Sequence, residues 1–441
     1  MKVFFVITIC KILKILGGLL GRGSSLPGQI ALKLDRNILS SIDLPKYIIA
    51  VTGSNGKTST VEMISHILTL DGKSIAWNKE GSNQIEGVTT LILSNCTCTG
   101  KFKKDILLIE SDERYAKYTF KYFKPTHYII TNLYRDQLTR NGHPNWVYNA
   151  IKDSIHEETT LILNSDDPLV SMFGYDKDNT IWFGVDKYEK STEACTGRYN
   201  DGYLCPKCQK PMDYNHFHYN HIGSYNCTHC GFSRKATKYA VTKIDSDNAM
   251  ITIDNNVSIK LALNSLYNIY NILAAYSISK EIGIANEVID KAINNYVLKN
   301  GRVVSFKIGD CNGMLLTSKH ENSVSYDQSL RYVVDYKSSC SLMIIVDAIS
   351  RKYFTGETSW LWDINFDVLE ASHIENIYLC GSYAYDLATR FDYTDINPDK
   401  IKIYTDISAA TEEIKNSKIN QLFTVTCFSD KDKILSKVDI L

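Results

Sequence analysis

The strongest chemical signal in the sequence is a glycine-rich loop at residues 52–58, Thr-Gly-Ser-Asn-Gly-Lys-Thr. It lies between a predicted strand and a predicted helix, where backbone N–H groups and a helix N-terminus can surround a phosphate. We expect Lys57 to contact the β- and γ-phosphates and Thr58 to place its hydroxyl on Mg²⁺. The predicted nucleotide-binding residues of this loop are Gly53, Asn55, Gly56, Lys57 and Thr58.

Polar residues also follow the next two predicted strands. Glu110 closes the apolar run 105–110 and is followed by Ser-Asp-Glu. A carboxylate at the carboxyl end of a strand, beside a phosphate loop, is a natural Mg²⁺ ligand, although a solvated loop acid is the alternative. Residues 132–137, Asn-Leu-Tyr-Arg-Asp-Gln, follow the next strand. The spacing does not show which of these groups contacts a metal.

Four cysteines form a second pattern, as two CxxC pairs separated by eighteen residues: Cys205, Cys208, Cys227 and Cys230. This spacing is typical of a zinc ribbon, in which four thiolates complete a tetrahedral shell. A closed shell leaves no position for water, so we predict a structural rather than a catalytic zinc. A redox role is disfavoured because neither pair begins a thioredoxin-like helix. The nearby histidines could substitute as ligands, but because four thiolates already complete the shell we expect them to be solvated loop residues: His216, His218, His221 and His229.

The elements that must position these residues alternate between strand and helix. Apolar runs without polar alternation predict buried parallel strands at 46–52, 105–111, 126–132, 159–165 and 180–185, with a helix over about 145–157. Strands recur near 239–262, and a helix begins at about Tyr267. The last part repeats the pattern, with strands at 313–318, 341–347, 376–381, 402–406 and 422–427. Alternating strands and helices predict an α/β fold with parallel sheets covered on both faces.

These patterns divide the chain into three parts. Residues 1–40 form an N-terminal helix and lead-in, 41–300 the central nucleotide-binding domain, and 301–441 a C-terminal Rossmann-like α/β domain. Residues 190–240 interrupt the central domain, because they are polar and poor in aliphatic runs. Such a segment cannot bury a core of its own and needs a metal to hold it together.

Composition narrows the functional classes. Lys plus Arg and Asp plus Glu both number 49, so no global charge recruits nucleic acid or anionic lipid. Hydrophobic residues make up 44% and charged residues 22% of the chain, which is typical of a globular protein. The eight cysteines outside the CxxC pairs are scattered, several of them in apolar runs, which suits a reducing compartment. We therefore expect a cytoplasmic protein that binds no nucleic acid.

The first twenty residues predict an amphipathic helix rather than a secretory signal, because Lys11 and Lys14 interrupt the apolar run. Its predicted apolar side consists of Val3, Ile7, Cys10, Leu13 and Leu20. Such a helix can pack on the protein body or rest on the inner face of the membrane as a peripheral contact.

Taken together, TGSNGKT, the strand end at Glu110, TNLYRDQ and Asn-Ser-Asp-Asp-Pro at 164–168 resemble the central domain of the Mur ligase family. These enzymes use ATP to form an acyl phosphate on a carboxyl group, which an amine then attacks. Residues 266–275 are similar to the family's asparagine helix, and this similarity implies that Asn268 and Asn271 face the adenine. Gly301-Arg302 resembles the family's hinge, which implies that Arg302 lies near the phosphates.

One branch of the family, MurT, carries a four-cysteine ribbon inserted in this domain. Residues 21–28 and the segment Thr-Ser-Trp-Leu-Trp-Asp at 358–363 also resemble that branch. The resemblance implies ATP-dependent amidation of the α-carboxyl of D-isoglutamate in the stem peptide of lipid II. The ammonia would come from a GatD-like class I glutaminase that forms a heterodimer with this chain. In that branch an aspartate just before the Thr-Ser-Trp segment assists the partner's Cys–His pair, and Glu357 occupies this position here.

Two other functions compete with this interpretation. A stand-alone Mur-type ligase that adds an amino acid, such as a folylpolyglutamate synthase, would share the phosphate loop, but the ribbon and the Thr-Ser-Trp segment disfavour it. A nucleotide-dependent ribbon protein that binds nucleic acid or scaffolds a complex is disfavoured by the neutral charge and by the lack of a basic stripe.

Overall fold

A computed structural model describes residues 1–19, 23–79, 81–135, 143–261, 265–296, 303–319, 322–348 and 358–441. The chain divides into two compact units. The first unit comprises Met1–Leu133, Pro144–Thr196 and Asn200–Val297, and the second comprises Tyr134–His143, Gly197–Tyr199 and Leu298–Leu441.

The first unit contains nine of the described α-helices: α1 (Lys2–Leu19), α2 (Leu26–Leu34), α3 (Lys57–Leu70), α4 (Ile85–Ser94), α5 (Ala116–Phe120), α6 (Pro144–Lys152), α7 (Pro168–Ser171), α8 (Leu266–Glu281) and α9 (Asn286–Asn294). Its strands are β1 (Tyr47–Thr52), β2 (Ile75–Trp77), β3 (Ile106–Glu110), β4 (His127–Ile130), β5 (Thr160–Asn164), β6 (Thr180–Val185), β7 (Asp213–Tyr219), β8 (Ile222–Asn226), β9 (Tyr239–Asp245), β10 (Met250–Ile253) and β11 (Val257–Lys260).

Nine of these strands form one sheet in the order β11-β10-β9-β6-β5-β4-β1-β3-β2. The seven strands from β9 to β2 are parallel, whereas β10 and β11 pair as antiparallel neighbours. The prediction of parallel α/β architecture is confirmed. The continuous apolar runs in the sequence reflect burial of both faces, since every residue of β3 is buried.

The order of the strands places a crevice at the end of β1. The chain passes from β3, on one side of β1, to β4 on the other side. In open parallel sheets, ligands bind at the carboxyl ends of the strands where the order reverses in this way. The glycine-rich loop follows β1 directly, so the fold positions it in that crevice.

The polar segment between β6 and β9 is an insertion in the large sheet. The strands before and after it, β6 and β9, are parallel neighbours in that sheet. Residues 186–238, the cysteine insertion, contain a separate two-stranded antiparallel sheet of β7 and β8. A small apolar cluster accompanies it, formed by Met212, Tyr225 and Phe232 with two of the cysteines.

The N-terminal helix α1 packs on the body of the first unit. Val6, Ile7 and Cys10 are fully buried in its main apolar cluster, and Val3 packs against that cluster. Leu13 is half-buried, and Leu20 lies outside the described residues. None of the described helices is long and apolar enough to cross a lipid bilayer.

The described part of the second unit contains α10 (Ser323–Asp335), α11 (Ala384–Phe391), α12 (Ile407–Lys415) and α13 (Lys431–Leu435). Its strands are β12 (Val303–Ile308), β13 (Cys311–Ser318), β14 (Cys340–Ile345), β15 (Ile374–Cys380), β16 (Ile401–Tyr404), β17 (Gln421–Cys427) and β18 (Asp439–Ile440), in the sheet order β16-β15-β14-β17-β13-β12-β18. The five strands from β16 to β13 are parallel, and β12 and β18 are antiparallel additions. Alternate residues of β14 lie in two separate apolar clusters, so both faces of this sheet are covered.

Candidate functional site

The glycine-rich loop joins the end of β1 to the start of α3, and two of its glycines are required by the geometry. Gly53 has φ +132° and Gly56 has φ +85°, in the region that favours glycine. A Cβ added at Gly53 would lie 2.3 Å from the hydroxyl oxygen of Thr131, and one added at Gly56 would lie 2.1 Å from Oδ1 of Asn271. The loop therefore approaches two other segments too closely for any side chain at these positions.

The polar residues after β4 hold the loop in place. The backbone N–H of Asn55 donates to Oδ1 of Asn132 over 2.9 Å, and the N–H of Ser54 donates to the Asn132 carbonyl, also over 2.9 Å. The hydroxyl of Thr131 donates to the Asn55 carbonyl over 2.8 Å. These contacts fix the loop conformation independently of any ligand. Residues 136–142, which include the end of the TNLYRDQ motif, lie outside the described residues.

Lys57, the first residue of α3, is buried together with an acidic partner. Its Nζ lies 3.0 Å from Oε2 of Glu113, and the lysine and glutamate side chains are 10% and 3% exposed. The ammonium also donates to the carbonyl of Gly53. The lysine is thus held at the loop by a carboxylate that the sequence analysis did not single out, because its spacing from Glu110 gave no reason to prefer it.

Glu110 ends β3 directly beside β1, where it is paired with Val51. Its backbone is fixed by Asn78, which accepts from the Glu110 N–H over 2.8 Å and donates to the Glu110 carbonyl over 2.9 Å. Nδ2 of Asn83 donates to the Glu110 carboxylate over 3.4 Å. Glu110 is therefore a buried carboxylate at the end of a strand that neighbours β1, rather than a solvated loop acid. Thr58, the second residue of α3, is half-buried.

The asparagine helix is α8, which begins after Ser265, whose side chain accepts from the N–H of Asn268. Asn268 and Asn271 are both buried. Oδ1 of Asn271 lies against Gly56 and within 3.4 Å of the Thr60 hydroxyl. The structure thus brings Asn271 to the loop from 215 residues further along the chain. Two other predicted site residues, Arg302 and Glu357, lie outside the described residues.

A buried carboxylate behind the site anchors this helix. Asp166, after β5, is fully buried and accepts from Nε of Arg234 over 2.6 Å, from the Tyr270 hydroxyl over 2.7 Å and from the Val185 N–H over 2.6 Å. Burial, and then the charge of Asp166, raise the pKa of Tyr270 well above its usual value, so this hydroxyl remains a donor. Tyr270 lies between the two asparagines, so Asp166 ties α8 and the cysteine insertion to the end of β5. In the sequence, the adjacent aspartates at 166–167 stood out, but nothing indicated Arg234 and Tyr270 as the partners of Asp166.

The four cysteines of the CxxC pairs converge as predicted. Their sulfur atoms all lie within 4.8 Å of one another, with Sγ–Sγ distances of 3.6 Å for Cys205–Cys230 and 3.5 Å for Cys208–Cys227. Each pair sits in a tight turn, in which the N–H of a residue with positive φ, Gln209 or Gly231, donates to the carbonyl of the pair's first cysteine. No other group of three or more potential ligands is found among the described residues.

The prediction of solvated histidines is wrong for three of the four. His216, His218 and His221 are buried on or beside the β7–β8 hairpin, whereas His229 is exposed. Nε2 of His218 pairs with the Val185 carbonyl over 3.1 Å, and Nε2 of His221 lies 3.6 Å from Oδ1 of Asp167. The polar composition of the insertion did not indicate this burial, because His218 and His221 contact residues outside the β7–β8 hairpin, at Val185 and Asp167.

We predict that His216 makes stability depend on pH. Burial, and then the nearby ring of His218, lower the pKa of His216 from 6.5 to about 4. The unfolded chain therefore binds more protons than the folded one between these values, and the free energy of unfolding should decrease as the pH falls from about 6.5 to about 4. The melting temperature of His216→Asn should decrease less over this range, whereas that of the exposed control His229→Asn should follow the wild type. An unchanged slope for His216→Asn would contradict the assignment.

Two family models match the chain: the Mur ligase middle domain over residues 51–228 and the MurT ligase C-terminal domain over residues 320–429. The chain is 30% identical over 399 residues to the lipid II isoglutaminyl synthase (glutamine-hydrolyzing) subunit MurT of Staphylococcus aureus strain COL, covering 90% of this chain and 89% of that protein. It is 31% identical to the MurT subunit of Streptococcus pneumoniae, covering 93% and 91%.

Among solved structures, a pseudomurein peptide ligase type C from Methanothermus fervidus superposes with a TM-score of 0.69. The sequence identity is 19%, and the match covers 91% of this chain and 81% of that chain. At this identity the likeness establishes a shared fold and nothing finer.

Proposed function

Because the chain belongs to the MurT group of the Mur ligase family, we propose that it is the ligase subunit of a lipid II isoglutaminyl synthase. It uses ATP to convert the α-carboxyl of D-isoglutamate in the lipid II stem peptide to an amide, in peptidoglycan synthesis. The observation that carries this proposal is the glycine-rich loop, with Lys57 buried beside it and Glu110 at the end of the neighbouring strand. This loop occurs in a chain that matches the MurT relatives over nine-tenths of its length.

Lys57 and the first amides of α3 act on the phosphates in this mechanism. An α-helix leaves its first N–H groups without intrahelical partners, and these groups point at the position of the phosphates. The Lys57 ammonium exchanges Glu113 for phosphate oxygens and offsets the charge of the phosphoryl group during transfer to the acceptor carboxylate. ADP leaves as the acyl phosphate forms. Ammonia then attacks the acyl carbon, inorganic phosphate leaves, and the nitrogen loses a proton to give the amide.

Thr58 and Glu110 are the residues that would hold Mg²⁺. Both supply oxygen ligands, which suit a hard cation, and Glu110 is a buried carboxylate at the correct strand end. When bound, the metal would neutralise charge on the transferred phosphoryl group. We assign Asn268 and Asn271 to the adenine and Arg302 to the phosphates, on the family resemblance.

The four cysteines fit zinc. At the usual Zn–S distance of about 2.3 Å, a tetrahedral shell places sulfur atoms about 3.8 Å apart, close to the spacing found here. Four thiolates leave no open position, so we assign the ion a structural role in a zinc ribbon. The zinc ion would stabilise the cysteine insertion, which has only a small apolar cluster of its own.

The second unit, with its parallel strands covered on both faces, is proposed as a Rossmann-like domain that contacts a GatD-like class I glutaminase. The partner releases ammonia from glutamine, and Glu357 orients the imidazole of its Cys–His pair. We place the complex in the cytoplasm at the inner face of the membrane, where its lipid-linked acceptor lies.

Reconstitution tests this function. The purified chain, mixed with a class I glutaminase and given ATP, Mg²⁺, glutamine and lipid II, should convert the stem peptide from acid to amide, detected by mass analysis. Omitting both glutamine and ammonia should stop ATP turnover. ATP turnover driven by an amino acid alone would instead indicate a stand-alone ligase. Tight oligonucleotide binding without ligase activity would indicate a nucleic-acid protein.

Gly56→Ala should weaken ATP binding at least tenfold, because the new methyl group would occupy the position of the Asn271 side chain at the loop. Gly72→Ala is the matched control, since Gly72 has a similar φ of +79° but nothing within 4 Å of the added Cβ. Both variants carry a backbone strain of about 1–2 kcal/mol. Titration with a fluorescent ATP analogue should show the loss in the first variant only. Equal affinities in both would mean that the contact with Asn271 does not shape the nucleotide site.

A further inference from the structure

The N-terminal helix α1 presents a second apolar face, opposite the one that it buries. Twenty large hydrophobic residues are exposed among those that the structure describes, and six of them lie within the first sixteen residues: Met1, Phe4, Phe5, Ile12, Ile15 and Leu16. Their exposed fractions are 51% or more, and Ile15 reaches 71%. Exposed apolar residues are normal when scattered, but a cluster of this kind marks an interaction surface.

The geometry of the helix gathers five of these residues on one side. At 3.6 residues per turn, positions 4, 5, 12, 15 and 16 fall within an arc of roughly 120°. Val6, Ile7 and Cys10 lie on the other side and are buried in the body. The helix is therefore apolar on two sides, and the body of the first unit covers only one of them. We call residues 4, 5, 12, 15 and 16 the outer face.

The helix is held rigidly enough to present this face. Nζ of Lys14 donates to the Ser94 hydroxyl over 3.1 Å, and Nζ of Lys11 donates to the Cys96 carbonyl. Both contacts fasten α1 to the end of α4. The outer face therefore cannot turn inward without breaking these bonds and exposing the buried side of the helix.

Charge indicates what covers the outer face. Residues 1–36 contain six basic residues and a single acidic residue, Asp35, which pairs with Lys2, in a chain whose net charge is zero; the basic residues are Lys2, Lys11, Lys14, Arg22, Lys33 and Arg36. Lys2 and Lys11 flank the apolar arc at its two edges on the helical projection. An apolar strip between lysines, with aromatic side chains and no acids, is the composition of helices that lie in the interface of anionic bilayers.

We propose that the outer face of α1 docks the first unit on an anionic lipid bilayer, with the helix axis parallel to the membrane surface. Phe4, Phe5 and Ile15 enter the boundary between headgroups and acyl chains, and Lys2, whose side chain is 66% exposed beside Asp35, reaches lipid phosphates. The reason for docking, access to lipid II, rests on the proposed function. The docking surface itself rests on α1.

Vesicle binding tests this inference without nucleotide or lipid II. The full chain should sediment with vesicles of phosphatidylcholine and phosphatidylglycerol (7:3), and more weakly with pure phosphatidylcholine or at high salt. The triple variant Phe4→Gln/Ile12→Gln/Ile15→Gln should bind at least tenfold more weakly with an unchanged melting temperature, because its side chains are exposed. Tyr385→Gln/Tyr393→Gln/Ile403→Gln, which removes equally exposed apolar residues of the second unit, should bind like the wild type.

Two results would overturn the proposal: a wild-type chain that stays in solution, or a triple variant that still binds. If the triple substitution instead lowered self-association or affinity for the glutaminase, without affecting vesicle binding, the outer face would be a protein interface. Amidation of detergent-solubilised lipid II by the triple variant separates the proposed function from the proposed membrane docking. It should continue if the proposed function is right, whatever the vesicle result.

Discussion

Lys57→Met should reduce ATP-dependent amidation by on the order of 10²–10³-fold or more, because it removes the cation that offsets charge on the transferred phosphoryl group. The substitution preserves most of the side-chain volume. Amidated stem peptide, quantified by mass analysis after reconstitution with the glutaminase, gives the rate.

The same substitution should also destabilise the first unit, and this effect must be separated from the loss of chemistry. Lys57 and Glu113 form an ion pair in which both side chains are buried. Removing one partner of such a pair leaves an uncompensated charge and costs about 3–5 kcal/mol. Lys57→Met/Glu113→Gln removes both charges, so it should recover most of the stability and remain inactive.

An exposed lysine provides the control. Lys73 lies just beyond the same helix, 3.7 Å from Asp71, with 46% of its side chain exposed. Lys73→Met should change stability by no more than about 1 kcal/mol and leave amidation intact. If Lys57→Met/Glu113→Gln were as stable as the wild type and amidated at a similar rate, Lys57 would have no role in catalysis.

Cys208→Ser should lower both zinc content and stability. It opens the thiolate shell, and zinc binding is coupled to folding. The insertion has little apolar core, although Asp166 also ties it to the body through Arg234. Partial anchoring limits the loss, so we expect a decrease in melting temperature of about 5 °C or more, equivalent to a few kcal/mol at this size.

The matched control for this variant is Cys98→Ser. Cys98 is a partly buried cysteine outside the four-cysteine cluster. It should retain one zinc per chain and the wild-type melting temperature. Metal analysis and thermal unfolding, with and without a chelator, distinguish the variants. Full zinc content in a stable Cys208→Ser protein would show that the cysteines do not form a structural zinc site.

The strands of the large sheet were predictable because parallel strands buried on both faces leave continuous apolar runs in the sequence. Short elements were not predictable in the same way. The three-residue strand β2 was not identified, and the helix predicted over 145–157 ends earlier, at Lys152, as α6. The helical pattern of α1 identified the side that packs on the body but not the outer face. The sequence alone does not distinguish an apolar residue that is buried from one that is exposed to solvent.

The parts of the site that escaped prediction depend on contacts between distant segments. The sequence identifies Lys57 only as a phosphate-binding lysine, and its buried pairing with Glu113 gives it a structural role as well. The links of Asp166 to Arg234 and Tyr270 join residues 68 and 104 positions apart. Side-chain pairs of this kind follow from the packing of the finished sheet, and no local spacing encodes them.

The central claim is that the turn holding Lys57 binds the triphosphate of ATP. A crystal structure with Mg²⁺ and a non-hydrolysable ATP analogue tests it most directly. We predict that Nζ of Lys57 leaves Glu113 and lies within hydrogen-bonding distance of a β- or γ-phosphate oxygen, with the amides at the start of α3 on the same phosphates. A nucleotide bound elsewhere, with Lys57 still paired to Glu113, would contradict the account.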